Sequence, residues 1–205
     1  MSGRLYVISG PSGVGKSTVV QQLRNEIKDL AYSISYTSRE PRENEMDGVH
    51  YHFVKRETFE KMIEEKAFVE WAEVYDALYG TSLDVLQDQM SQGLDVVLDI
   101  DSQGAVNVKK HFEESRLIYI LPPSLDILGE RLRGRGTDAE EVLRTRFEKA
   151  LREIKRCVDY DYLVFNEEID RAVKEIKCII LSDRVRRSRR LSMVEKIFNI
   201  PLSPK

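Results

Sequence analysis

The sequence predicts an α/β protein built on a parallel β-sheet with helices on both faces. Three observations carry that prediction. Apolar runs of strand length alternate with helical stripes along most of the 205 residues, the pattern produced when crossover helices connect parallel strands. The first run, Leu5-Tyr6-Val7-Ile8, leads into Gly10-Pro11-Ser12-Gly13-Val14-Gly15-Lys16-Ser17 and then a stripe at Val19, Val20, Leu23 and Ile27. A later run, Val96-Val97-Leu98, ends in Asp99, and a continuous apolar run of this length reads as a strand buried on both faces.

Each element follows from local chemistry. The glycine segment is a complete phosphate-binding loop: its glycines let backbone N–H groups converge on phosphates at a helix N-terminus. Lys16 would reach the β- and γ-phosphate oxygens, and the Ser17 hydroxyl would take a place on Mg²⁺. From Ala31 to Val54 the helical period is lost among Ser, Thr, Arg, Pro and Gly, which predicts short strands and turns. Helical stripes return at Phe59, Met62 and Ile63 and at Leu83, Leu86 and Met90, the latter closed by Gly93. After Asp95–Asp101 a helix is expected from about residue 103 to 112. The strand Leu117–Leu121 is stopped by Pro122 and Pro123, and Ser124 caps a helix bearing Leu125, Leu128 and Leu132. Thr137-Asp138-Ala139-Glu140 reads as a capping box for a longer helix with a stripe from Leu143 to Val158. The strand Tyr162–Phe165 leads to Asn166 and a last long stripe at Ala172, Val173, Ile176 and Ile180.

Composition bounds the function. With 41% apolar and 33% charged residues and a net charge of −3, the chain reads as a globular protein, and no nucleic-acid partner is expected. No stretch has the length of a signal peptide or membrane span, so a cytoplasmic protein with no membrane partner is expected. Cys157 and Cys178 lack zinc or disulfide spacing and read as reduced packing residues. His50, His52 and His111 form no metal pattern. Arg184, Arg186, Arg187, Arg189 and Arg190 read as a solvated helix face with ion pairs. The following Leu191, Val194, Ile197 and Phe198 suggest a helix packed back on the core.

Asp99 is the candidate metal residue, directly or through water, with Asp101 nearby. Ser35, Arg39 and Arg42 combine a hydroxyl with two guanidinium groups and suggest a second anion site, since the planar fork grips phosphate and keeps its proton. The neighbouring Glu40, Glu43 and Glu45 leave open a solvated loop. The wider constellation adds Gly48-x-x-Tyr51-x-Phe53, Phe68-Val69-Glu70-Trp71-Ala72, Tyr79-Gly80-Thr81, Leu98-Asp99-Ile100-Asp101-x-Gln103-Gly104, and Arg131-x-x-Gly134-Arg135-Gly136 with Arg146. In this order over nearly the whole chain, these motifs resemble the guanylate kinases.

The resemblance implies a nucleoside monophosphate kinase fold: a core of about 1–33, 97–125 and 148–205, an inserted GMP-binding lobe of about 34–96, and a helical lid of about 126–147. It implies transfer of the γ-phosphoryl group of ATP to GMP with Mg²⁺, in purine nucleotide recycling. ATP would be held by the loop from Gly10 to Ser17, by Thr18, and by Arg131, Arg135 and Asn166, the last against adenine. The GMP phosphate would meet Arg39, Arg42, Tyr51 and Tyr79. Guanine would be read by Glu70 with Ser35, Thr81 and Asp101 alongside. Arg131, Arg135 and Arg146 would be lid arginines closing over the triphosphate, Arg135 and Arg146 also meeting GMP, Gly134 and Gly136 would act as hinges, and Lys16, Arg39, Arg131, Arg135 and Arg146 would neutralise the transferring group. Thr81 stands where many relatives carry Ser. A noncatalytic peptide-binding module of the same fold, or a kinase for another phosphorylated acceptor, are the alternatives. Nothing in the sequence separates a monomer from a homodimer.

Overall fold

A computed structural model describes residues 3–74, 76–133 and 140–202. The main sheet contains β1 (Leu5–Ser9), β2 (Leu30–Tyr32), β7 (Asp95–Asp99), β8 (Arg116–Leu121) and β9 (Tyr162–Phe165). Its order is β2-β7-β1-β8-β9, with every pair parallel. Successive residues of β1 point to opposite faces, and both faces are buried, which is why the run is apolar throughout. Tyr6 and Ile8 meet Val19, Val20 and Leu23 of α1 (Lys16–Glu26) and Val173, Ile176 and Ile180 of α7 (Ile169–Arg184). Leu5 and Val7 meet Leu86 and Met90 of α3 (Leu83–Ser91) and Ala105 and Val108 of α4 (Ser102–His111). At roughly 1.5–3 kcal/mol per fully buried aliphatic side chain, these two layers outweigh exposed ion pairs worth about 0–1 kcal/mol each.

A second sheet, ordered β4-β3-β6-β5, joins β3 (Tyr36–Thr37), β4 (His52–Phe53), β5 (Phe68–Val74) and β6 (Ala77–Ser82). Phe59 of α2 (Arg56–Glu64) stacks on Phe68 to form its small core. The expected lobe boundary at residue 96 therefore moves back to the end of β6, because α3 and β7 pack with the main sheet. Leu128 and Leu132 of α5 (Leu125–Arg133) pack against Leu143, Phe147 and Ala150 of α6 (Glu140–Ile154). Gly134, Arg135, Gly136 and the capping box that begins at Thr137 lie outside the described residues.

Four expectations are corrected. The α6 stripe ends at Ile154 and a 3-10 helix follows (Lys155–Asp159), leaving Val158 82% exposed. Cys157 is half-buried and Cys178 exposed, so neither is a buried packing residue. No residue of α8 (Arg187–Phe198) is buried, and Ile197 and Phe198 face outward rather than onto the core. Arg186, Arg187 and Arg190 are exposed, but Arg184 and Arg189 are largely withdrawn from solvent: they bond Asp95 at 2.7 and 2.8 Å, and Arg189 also reaches Asp183 at 3.3 Å. Asp95 and Asp183 are buried, and buried carboxylates need paired charges. Arg116 bonds Asp183 at 2.9 Å and Arg4 lies 3.4 Å from it. Burial works to raise the Asp183 carboxyl, but the bond and charge of Arg116 with the charge of Arg4 hold it below its ordinary value. This network ties the N-terminal ends of β1, β7 and β8, which leaves their C-terminal ends for chemistry. Among the described residues, no helix is long and apolar enough to cross a membrane.

Candidate active site

The glycine loop connects β1 to α1 at the C-terminal edge of the sheet. Gly15 caps α1 with φ +94°, and a Cβ there would lie 2.8 Å from Asn166 Nδ2, so both backbone and space require glycine. Asn166, just past β9, is 1% exposed and donates Nδ2 to the Val14 carbonyl at 2.6 Å. Its own carbonyl accepts Arg131 Nη2 at 3.0 Å. Asn166 thus clamps the loop and joins it to α5, a structural role beside the expected adenine contact; its Oδ1 has no bonding partner among the described residues.

Lys16 Nζ folds back to the Gly10 carbonyl at 2.9 Å, and the Ser12 N–H donates to the Glu153 carboxylate at 3.3 Å. Glu153, on α6, was not legible as a site residue, because only the tertiary fold brings it to the loop. Arg146 Nη2 approaches the Ser12 hydroxyl at 3.5 Å. Ser17 Oγ donates to Asp99 Oδ2 at 3.3 Å. This all-oxygen pair suits Mg²⁺, which keeps waters and takes few protein ligands; among the described residues no three His, Cys, Asp or Glu side chains cluster as a metal cage. A cavity of about 250 Å³ opens here between the loop, Asp99, Asp101 and Glu153.

A second cavity, of about 340 Å³, shares the Asp99–Asp101 wall. Ser35, Arg39, Arg42, Tyr51, Glu70 and Tyr79 line it. Glu70 and Ala72 alternate with Trp71 along β5; the former face the cavity, while Trp71 points away at 46% exposure. Arg39 Nε donates to the Tyr79 hydroxyl at 3.1 Å, and its guanidinium lies 5.1 Å from the Tyr51 ring centre. The Tyr51 and Tyr79 rings meet edge to face at 5.7 Å. Burial, and then the neighbouring Tyr79, raise the Tyr51 hydroxyl above its ordinary value, so the Tyr51 phenol stays a protonated donor.

Glu70 is 9% exposed, opposite Thr81 in the β5–β6 register. The Thr81 hydroxyl donates to Glu70 Oε1 at 2.5 Å. Desolvation pushes the Glu70 carboxyl up to about 7, against the Thr81 bond and with help from the Asp101 charge. Asp101 caps α4, its Oδ1 accepting the N–H groups of Gln103 and Gly104 at 2.9 and 2.8 Å. Gly104 is what lets Glu70 approach this helix: a Cβ would sit 2.7 Å from Glu70 Oε2.

A family model described as guanylate kinase matches residues 2–183. The chain belongs to the guanylate kinase family. It is 47% identical over 201 residues to a guanylate kinase of Syntrophotalea carbinolica, covering 98% of this chain and 96% of the relative. A guanylate kinase of Carboxydothermus hydrogenoformans is 46% identical over 187 residues, covering 91% and 92%. The crystal structure of guanylate kinase from Anaplasma phagocytophilum superposes with a TM-score of 0.78 at 30% identity, covering 98% and 97%. The α/β fold with a flanked parallel sheet is thus that of the guanylate kinases.

Proposed function

We propose that the chain transfers the γ-phosphoryl group of ATP to GMP, giving ADP and GDP. The observation that carries this reading is the pair of cavities sharing the Asp99–Asp101 wall. One is rimmed by loop amides and Lys16, the other by guanidinium groups, phenols and a buried carboxylate. Loop amides and Lys16 bind the donor phosphates. Arg39, Arg42, Tyr51 and Tyr79 orient the acceptor phosphate, whose own oxygen is the nucleophile, so no protein nucleophile is needed. Mg²⁺, held at Ser17 and Asp99, would neutralise charge on the donor phosphates. Arg131 and Arg146 add positive charge around the donor; the same role for Arg135 rests on the family resemblance.

Guanine offers adjacent N1–H and N2–H donors, which an ionised Glu70 can accept together. Adenine lacks both and would leave the carboxylate buried and unpaired. A coupled assay with Mg-ATP and GMP, dGMP, AMP, UMP and CMP as acceptors tests the reading. ADP formation that depends on the guanine nucleotides is expected. No GMP-dependent ADP would reject catalysis, and equal use of AMP would reject the role of Glu70.

Gly104→Ala supplies a second test. Alanine's better helix propensity, up to about 1 kcal/mol, offsets part of the roughly 1–3 kcal/mol that overpacking costs, so the fold should be kept. The new methyl must displace the Glu70 carboxylate, and the KM for GMP should rise by about tenfold or more, with the KM for ATP unchanged. Unchanged GMP kinetics would remove Glu70 from base recognition.

A further inference from the structure

Arg39 is central to the acceptor cradle, and its existing partners decide which of its edges can meet a phosphate. Nη1 and Nη2 grip the two carboxylate oxygens of Glu45 at 2.5 and 2.7 Å. Nη1 also donates to the Glu40 carbonyl at 3.0 Å, and Nε to the Tyr79 hydroxyl at 3.1 Å. A guanidinium has five N–H donors in a rigid plane. The end of the fork is thus filled by Glu45, and the side carrying Nε and the remaining Nη2 hydrogen is left beside Tyr79.

Glu45 does more than neutralise Arg39. Its Oε2 accepts the Arg42 N–H at 2.9 Å, and its own N–H returns to the Arg42 carbonyl at 2.9 Å. One acidic residue therefore fastens both arginine positions of the loop. The pair is no loose surface contact: the two side chains are 17% and 16% exposed. The Arg39 bond, and then the Arg42 N–H, hold the Glu45 carboxyl down to about 2, so it stays ionised at every working pH.

We infer that Glu45 is a positioning residue of the acceptor-phosphate site, turning the Nε/Nη2 edge of Arg39 toward the incoming phosphate and fixing the spacing to Arg42. This rests on the proposed GMP reading. Without Glu45, the end of the fork would be free to meet phosphate, with only the Glu40 carbonyl and the Tyr79 hydroxyl left to orient the guanidinium. The charge that Glu45 adds beside the acceptor is offset by Arg42, which lines the same cavity.

The test compares the parent enzyme with Glu45→Gln and Glu45→Ala. Steady-state kinetics give KM and kcat for GMP and ATP, and calorimetry gives the affinities of GMP and guanosine. Glu45→Gln keeps an acceptor for the Arg42 N–H and loses the ion pair. It should raise the KM for GMP by about tenfold, and Glu45→Ala by more. The KM for ATP and the affinity for guanosine, which lacks the phosphate, should not change. Tighter GMP binding in Glu45→Gln would mean that Glu45 competes with the phosphate, and unchanged binding that it is a bystander. Equal losses for GMP and guanosine would mean that the loop has merely collapsed. Each of those three results overturns the inference while the parent's turnover leaves the GMP reading standing. A parent with no GMP-dependent turnover overturns both.

Discussion

Glu70→Gln is expected to lower kcat/KM for GMP by about 10³-fold while leaving the KM for ATP within about twofold. The amide keeps the size of the side chain and an oxygen for the Thr81 hydroxyl. It turns the other end from an acceptor into a donor, facing guanine donors in a site that is nearly dry. The variant loses the charge-assisted pair and leaves N–H groups unpaired on both sides. The donor cavity is lined by the glycine loop and Glu153 and not by Glu70, so ATP should be unaffected. Equal losses for the two nucleotides would count against guanine recognition.

The same substitution has a consequence for stability, with a definite sign. The Glu70 carboxyl is raised from 4.5 to about 7 by burial. A raised acid favours the fold at low pH; that contribution is complete below about 4.5 and is lost as pH climbs through about 7. Above that, ionised Glu70 destabilises the ligand-free protein by on the order of 3 kcal/mol relative to the neutral group. Glu70→Gln should therefore be more stable than the parent in urea at pH 8, with the gain shrinking toward pH 5. Guanosine binding to the parent should weaken by about tenfold per pH unit below 7, since only the ionised carboxylate accepts both base donors. Guanosine isolates this titration from that of the GMP phosphate. A flat profile in the parent, or an unchanged slope in the variant, would assign the titration to another group.

What the sequence disclosed and what it hid divide along one physical line. The glycine loop, the strands and the main helices were legible because periodicity and turn chemistry act over a few residues. The end of β7 at Asp99 was legible because the apolar run Val96–Leu98, buried on both faces, stops at that carboxylate. Partners across the fold were not. Asp95 lies 89 residues from Arg184 and 94 from Arg189, so an arginine run that looked solvated is in part a buried clamp. Glu45 was set among incidental acids of a charged loop, and only the folded loop shows its carboxylate on Arg39 and on the Arg42 backbone. Asn166 and Glu153 reach the glycine loop from residues 152 and 141 positions away. The apolar face of α8 misled because amphipathic spacing states that a face is apolar, not what covers it.

Lys16→Ala should lower kcat by about 10²–10³-fold, equivalent to the loss of roughly 3–4 kcal/mol of transition-state stabilisation. In the ligand-free protein the ammonium is held by the Gly10 carbonyl at 2.9 Å, and the Pro11 carbonyl lies at 3.5 Å. These are bonds to neutral acceptors of its own loop, weaker than any to a phosphate, so an arriving triphosphate can draw Lys16 away at little cost. Among the described residues the charge is thereby stored next to the site with no anionic partner to displace. Arg39 is held differently, by a carboxylate that stays in place. The donor cation is therefore free to follow negative charge as it moves, whereas the acceptor cation is fixed to align a phosphate. Lys16→Ala should accordingly depress kcat and leave the KM for GMP within about threefold, since its charge acts in the transition state more than on the bound acceptor. Lys16→Met, which keeps the packed stem, should be as impaired as the alanine variant. Should methionine restore turnover, the stem rather than the charge would be what the reaction uses.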